Sequence, residues 1–210
     1  MEVSSAMRER RSIRSFRSEQ VDRATIREIL DEARWAPSWA NAQDWSVTVV
    51  RGLALHELKA DLKARVESHE PPQADIPMPR SWPDHIKARM MFKSMPEGSA
   101  EGMRTSSLWD IYGAPCLLLF AIDERLSPEY ACFDAGLLVQ NICLAATDRG
   151  LGTCVMAMSV AWPEALRKVA PADGQRFIVG VALGLPDADQ AVNTIHRERV
   201  YIDEFVSWVE

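Results

Sequence analysis

Between Asp134 and Asp148 the segment FDAGLLVQNICLAATDR at 133–149 carries no charged residue. A helix that is apolar on every side must meet protein around its whole circumference rather than water. In a chain of 210 residues, that demand predicts burial against a second subunit, with Leu137, Leu138, Ile142 and Leu144 on the face toward it. Gly150-Leu151-Gly152 ends the helix, and TCVMAM at 153–158 reads as a strand. Upstream, APCLLLFAID at 114–123 is nearly continuous in apolar residues, the pattern of a central strand covered on both faces.

The remaining elements follow from periodicity. DRATIREILDEARWA at 22–36 places Ile26, Ile29, Leu30 and Ala33 at helical spacing before Pro37. WSVTVV at 45–50 is rich in β-branched residues, and a second helix follows over 54–67 with Leu55, Leu58 and Leu62 on one face. A short helix is expected at 162–169 and a further strand at RFIVGVALG, 176–184. From 71 to 102 no period is sustained, and five prolines fall between Pro71 and Pro83. We read 71–103 as an excursion or lid. The class is α+β, one domain over 1–210 with helices around a central sheet.

Charge restricts the partners. Thirty acidic residues against 24 basic ones give a net charge of −6, the wrong sign for a general nucleic-acid binder. Yet RERRSIRSFR at 8–17 holds five arginines and one acid, which suggests a discrete anion. The longest uncharged run, 150–163, has 14 residues, so no membrane span is expected. The N-terminus is charged from its second residue and lacks an apolar centre, so a cytoplasmic protein is expected. Cys116, Cys132, Cys143 and Cys154 are spaced without any metal pattern and read as reduced core thiols. GxGxxG, GxxxxGK[ST], GxSxG and HExxH are all absent, so nucleotide-fold, hydrolase and zinc chemistry recede.

Three segments remain informative. RRSIRSF at 10–16 offers several charge-assisted donors to a phosphate, or forms a solvated basic turn. APSWANAQDW at 36–45 sets Ser38, Asn41 and Gln43 beside two tryptophans, a combination suited to a planar heteroaromatic ring, or is an ordinary turn into a strand. HRERVYIDEFV at 196–206 places Arg197 and Arg199 ahead of an apolar C-terminal stretch, or simply pairs its charges in solvent.

Taken in order, RRSIRSF, APSWANAQDW, YGAPCLLLFAID, FDAGLLVQNICLAATDRGLGTC, VGVALGLPDAD and the terminal arginine segment resemble the FMN-dependent nitroreductase family over nearly the whole chain. The tail NTIHRERVYIDEFVSW is most similar to the nitrobenzoate and nitroaromatic reductase branch. The resemblance implies a central mixed sheet surrounded by helices and an intertwined homodimer with FMN at the subunit interface. Arg10, Ser12 and Arg14 would hold the phosphate, ribityl chain and pyrimidine edge of FMN, with Arg11 a further candidate. Arg199 and Arg197 would close on the same phosphate. Pro37, Ser38, Trp39 and Asn41 would approach the isoalloxazine ring from the partner chain. Val155, Met156 and Ala157 would run beside it.

The chemistry implied resides on the flavin N5, with NADH or NADPH as reductant and a small electron-poor molecule as acceptor in a ping-pong reaction. No side chain acts as nucleophile and no metal is called for. Reductive dehalogenation, quinone or enone reduction, and non-catalytic flavin binding are the alternatives on the same scaffold. Asp44 stands where the family has proline, and Ala157 falls near a position that is glutamate in related branches.

Overall fold

The computed structural model describes residues 1–79, 81–90, 109–195 and 198–210. Its framework is a four-stranded sheet of β1 (Trp45–Arg51), β2 (Cys116–Asp123), β3 (Gly152–Met156) and β4 (Gln175–Gly184) in the order β1-β2-β4-β3. Every pairing between these strands is antiparallel. The parallel character expected of a mixed sheet is confined, among the described residues, to an isolated bridge between Ser12 and Thr153.

β2 lies inside the sheet with seven of its eight residues buried. Alternate side chains leave a strand on opposite faces. Leu117, Leu119 and Ala121 accordingly enter one core, with α3 (Gly52–Glu67) and its Leu55, Leu58 and Leu62. Cys116, Leu118 and Phe120 enter another, with α2 (Arg23–Ala33) and α5 (Pro128–Asp148). The short helices α1 (Val3–Glu9), α4 (Asp84–Lys87), α6 (Pro163–Arg167) and α7 (Ala191–Thr194) complete the set among the described residues.

The long helix divides its apolar surface unequally. Ala135, Leu138, Ile142, Cys143 and Ala146 are buried within the chain itself, whereas Tyr130 and Phe133 are 57% and 65% exposed. Leu138 and Ile142, expected on the face toward a second subunit, therefore belong to the chain's own core. By length and composition α5 could cross a bilayer, contrary to the expectation that no span exists; 44% of its most apolar stretch is buried in the fold, as in a core helix. The start of the 71–103 excursion is anchored. Asp75 accepts hydrogen bonds from Arg167 Nη2 and the Phe177 N–H, both at 2.9 Å, and Gln73 N–H donates to Ala161 O. The strand expected over 153–158 stops at Met156, and residues 157–160 turn as a 3-10 helix.

Candidate functional site

The basic segment leaves α1 at Arg10 and runs along the outer edge of β3. Ile13 N–H donates to Thr153 O at 2.9 Å, next to the Ser12 bridge. Such close approach requires glycine at 152, where a Cβ would stand 2.6 Å from Ile13 Cγ1. The edge beyond this contact carries Val155 and Ala157 exposed and Met156 buried, so backbone groups of β3 lie beside the RRSIR segment.

Asn193 of α7, only 6% exposed, ties the two distant parts of the chain together. Its Oδ1 accepts the Arg14 N–H at 2.7 Å, and its Nδ2 donates to Ser15 O and Asp187 O at 2.8 and 2.9 Å. Its carbonyl accepts from Arg11 Nη1. The result is a cleft of about 370 Å³ in which Arg8, Arg10, Arg11, Ser12 and Arg14 meet Arg89 and Arg199. Glu9 and Glu198 are the acids at its wall. Arg8, Arg10, Arg11 and Arg14 have no ion pair among the described residues. Arg14 Nη1 reaches Ser12 O at 3.2 Å, while its Nε is buried without a partner among the described residues. Tyr112, also buried, has its hydroxyl pKa pushed up by that burial, with the nearby Arg14 cation pulling the other way. Arg197 lies outside the described residues.

Pro37, Ser38 and Trp39 line a different cavity, of about 630 Å³, with Tyr130, Phe133, Asp134 and Leu137 of α5. The Trp39 ring, 61% exposed, meets Tyr130 edge-on at a centroid distance of 4.7 Å. Asn41 is exposed on the 3-10 turn Trp39–Asn41. One chain thus brings Arg10, Arg11, Ser12, Arg14 and Arg199 together, and does not bring Pro37, Ser38 or Trp39 into the lining of that cleft.

Asn193, Asp134 and Arg89 escaped the sequence reading. Asp134 had a legible signal, being the last acid before an uncharged helix run, where a carboxylate is buried only with a partner. Asn193 and Arg89 had none, since their positions depend on contacts far along the chain. A cluster of guanidinium groups with an unsatisfied buried N–H suits a phosphate-bearing ligand, because fork-shaped donors engage phosphate oxygens in pairs.

Residues 7–185 match the model of the Nitroreductase family. The chain is 31% identical to 4-nitrobenzoate reductase of Pseudomonas putida over 95% of its length and 92% of that protein. It is 30% identical to chloronitrobenzene nitroreductase of Comamonas testosteroni, over 99% and 96%. Its fold superposes with a TM-score of 0.88 on the FMN and NADPH-dependent nitroreductase NfnB from Sphigopyxis sp. strain HMH, at 26% identity and full coverage of both chains. By this match, these relatives and the shared α+β fold, the chain belongs to the nitroreductase family.

Proposed function

We propose that the chain is an FMN-dependent NAD(P)H oxidoreductase that reduces nitroaromatic acceptors, working as an intertwined homodimer in the cytoplasm. The observation that carries the reading is the convergence of Arg10, Arg11, Arg14 and Arg199 on one cleft, with Arg14 Nε buried and unsatisfied among the described residues. Bound FMN supplies hydride acceptance and delivery. The protein's part is position and field: Arg10, Arg11 and Arg199 hold the phosphate, Ser12 and Arg14 the ribityl and pyrimidine side, and residues 155–157 offer backbone groups. A guanidinium at Arg14 favours negative charge on the adjoining ring edge. Arg197 belongs with Arg199 in this reading.

Two features support the dimer. Trp39, Tyr130 and Phe133 form an exposed aromatic face too apolar for a lone subunit. The tail exposes Phe205, Trp208 and Val209, while β1 has no strand on its outer edge among the described residues; a tail lying along the other copy's sheet covers both. Pro37, Ser38, Trp39 and Asn41 then face the partner's flavin. Four cysteines without a disulfide fit a reducing compartment. The test is to release the chromophore by heat, identify it by mass, and measure steady-state kinetics with NADPH and 4-nitrobenzoate. FMN and parallel double-reciprocal lines are expected; FAD, or intersecting lines, would overturn the reading.

A further inference from the structure

The turn that presents Trp39 is conformationally unfavourable. Ala40, Asn41 and Gln43 have φ of 45°, 61° and 50°, a left-handed region that residues with a Cβ rarely adopt. Such geometry persists only where the surroundings over-determine it, and it concentrates where function needs a fixed shape. Three side-chain hydrogen bonds hold the turn. Ser38 Oγ accepts the Gln43 N–H at 2.9 Å and Gln43 Nε2 donates to Asn41 O at 3.1 Å, so both close the turn on itself. The third is anchored elsewhere: Asp134 Oδ2, on α5, accepts the Trp39 N–H at 2.8 Å.

Asp134 is 4% exposed and has no ion pair among the described residues. A buried carboxylate without a cation is costly, and a neutral residue would fill the helix position without that cost. What an apolar residue at this position could not supply is the acceptor oxygen that the Trp39 N–H uses. We propose that Asp134 is a positioning residue for the acceptor site: through the Trp39 amide it fixes the indole, edge-on to Tyr130, as the aromatic wall against which a nitroaromatic ring is received. The proposal rests on the reading that residues 37–41 face the partner's flavin.

The test uses the FMN-loaded dimer with Asp134→Ala, Asp134→Asn, Trp39→Ala and the Asp134→Ala/Trp39→Ala double variant. Two quantities are read: hydrogen exchange at the Trp39 amide, and KM against kcat for 4-nitrobenzoate. Asp134→Ala should speed exchange and raise KM, each about tenfold, the scale of one charge-assisted hydrogen bond, with KM changing more than kcat. Asn keeps an acceptor oxygen and should restore most of both. The double variant should match Trp39→Ala alone, the signature of coupled residues. Unchanged Trp39 exchange in Asp134→Ala, an Asn variant as impaired as Ala, or additive effects on KM would each overturn the proposal. If Trp39→Ala leaves KM unchanged while exchange still rises in Asp134→Ala, the placement of the acceptor wall is what fails, and the role in positioning substrate falls with it. Should Asp134→Ala not fold, the Asn variant decides alone: its Trp39 exchange must stay close to that of the parent.

Discussion

Gly180 of β4 is the glycine at which an added methyl group would meet its neighbours most closely among the described residues. A Cβ there would collide with Ser159 Oγ and stand 3.0 Å from Leu117 Cδ1 and 3.1 Å from Ser159 Cβ. Ser159 is 2% exposed, and its hydroxyl donates to Met156 O at 2.6 Å, at the end of β3. Alanine forces that hydroxyl away, which breaks the bond and leaves Met156 O without its partner where water cannot replace it. Loss of a hydrogen bond near 1 kcal/mol, together with overpacking of roughly 1 to 3 kcal/mol, gives a cost of about 2 to 4 kcal/mol. Urea denaturation of the FMN-free protein measures it, and FMN titration reports whether the β3 edge has moved. Ser159→Ala removes the clashing oxygen and leaves the Leu117 Cδ1 and Ser159 Cβ contacts, so the double variant should cost clearly less than the sum of the two single variants. If Gly180→Ala costs under about 1 kcal/mol, or if the two substitutions add, the steric reasoning is refuted.

Asp44 has Oδ1 buried without a partner among the described residues, and burial, with Asp134 nearby adding to it, raises its pKa above the usual carboxylate value. A group raised in the folded state contributes fully below its unfolded pKa and loses that contribution as pH rises through the folded value. Asp44→Asn should therefore stabilise the protein at pH 7, with the gain vanishing in acid, as read from urea midpoints across pH; a gain that persists in acid would exclude this cause. Burial pushes the Cys116 thiol up to about 12 and Cys154 up to about 11, and raises Cys143 as well. At pH 8 iodoacetamide should modify the half-buried Cys132 first, with the other three protected until unfolding. Rapid labelling of Cys116 or Cys154 in the native protein would contradict their burial.

Patterned segments were legible and long-range junctions were not. The apolar run of β2 was readable because both faces of one strand had to be covered, and the two cores that flank it supply the covering. Helix α5 was readable as a helix, yet its absence of charge could not say which face the chain would use: Leu138 and Ile142 turned inward, leaving Tyr130 and Phe133 outside. The basic cluster at 8–17 announced an anion site by charge alone. Its completion by Asn193 and Arg89 was invisible, since neither residue has a local pattern that differs from an ordinary surface position. The same limit applied at 71–79, where irregular spacing concealed the anchoring of Asp75 to α6 and β4.

The bond from the Arg14 N–H to Asn193 joins positions 179 residues apart. Contacts of such sequence separation bear the entropy of closing nearly the whole chain before they contribute anything. Ile13 and Phe16 belong to the core on the α3 side, so closing this junction also seals part of that core, and the cleft at 8–14 exists only once these two distant stretches of chain have met. A ligand that binds only the closed form holds it shut in proportion to its concentration. The supply of flavin would in this way set the lifetime of the junction, and a protein short of cofactor would be opened first where its beginning and its end are laced together.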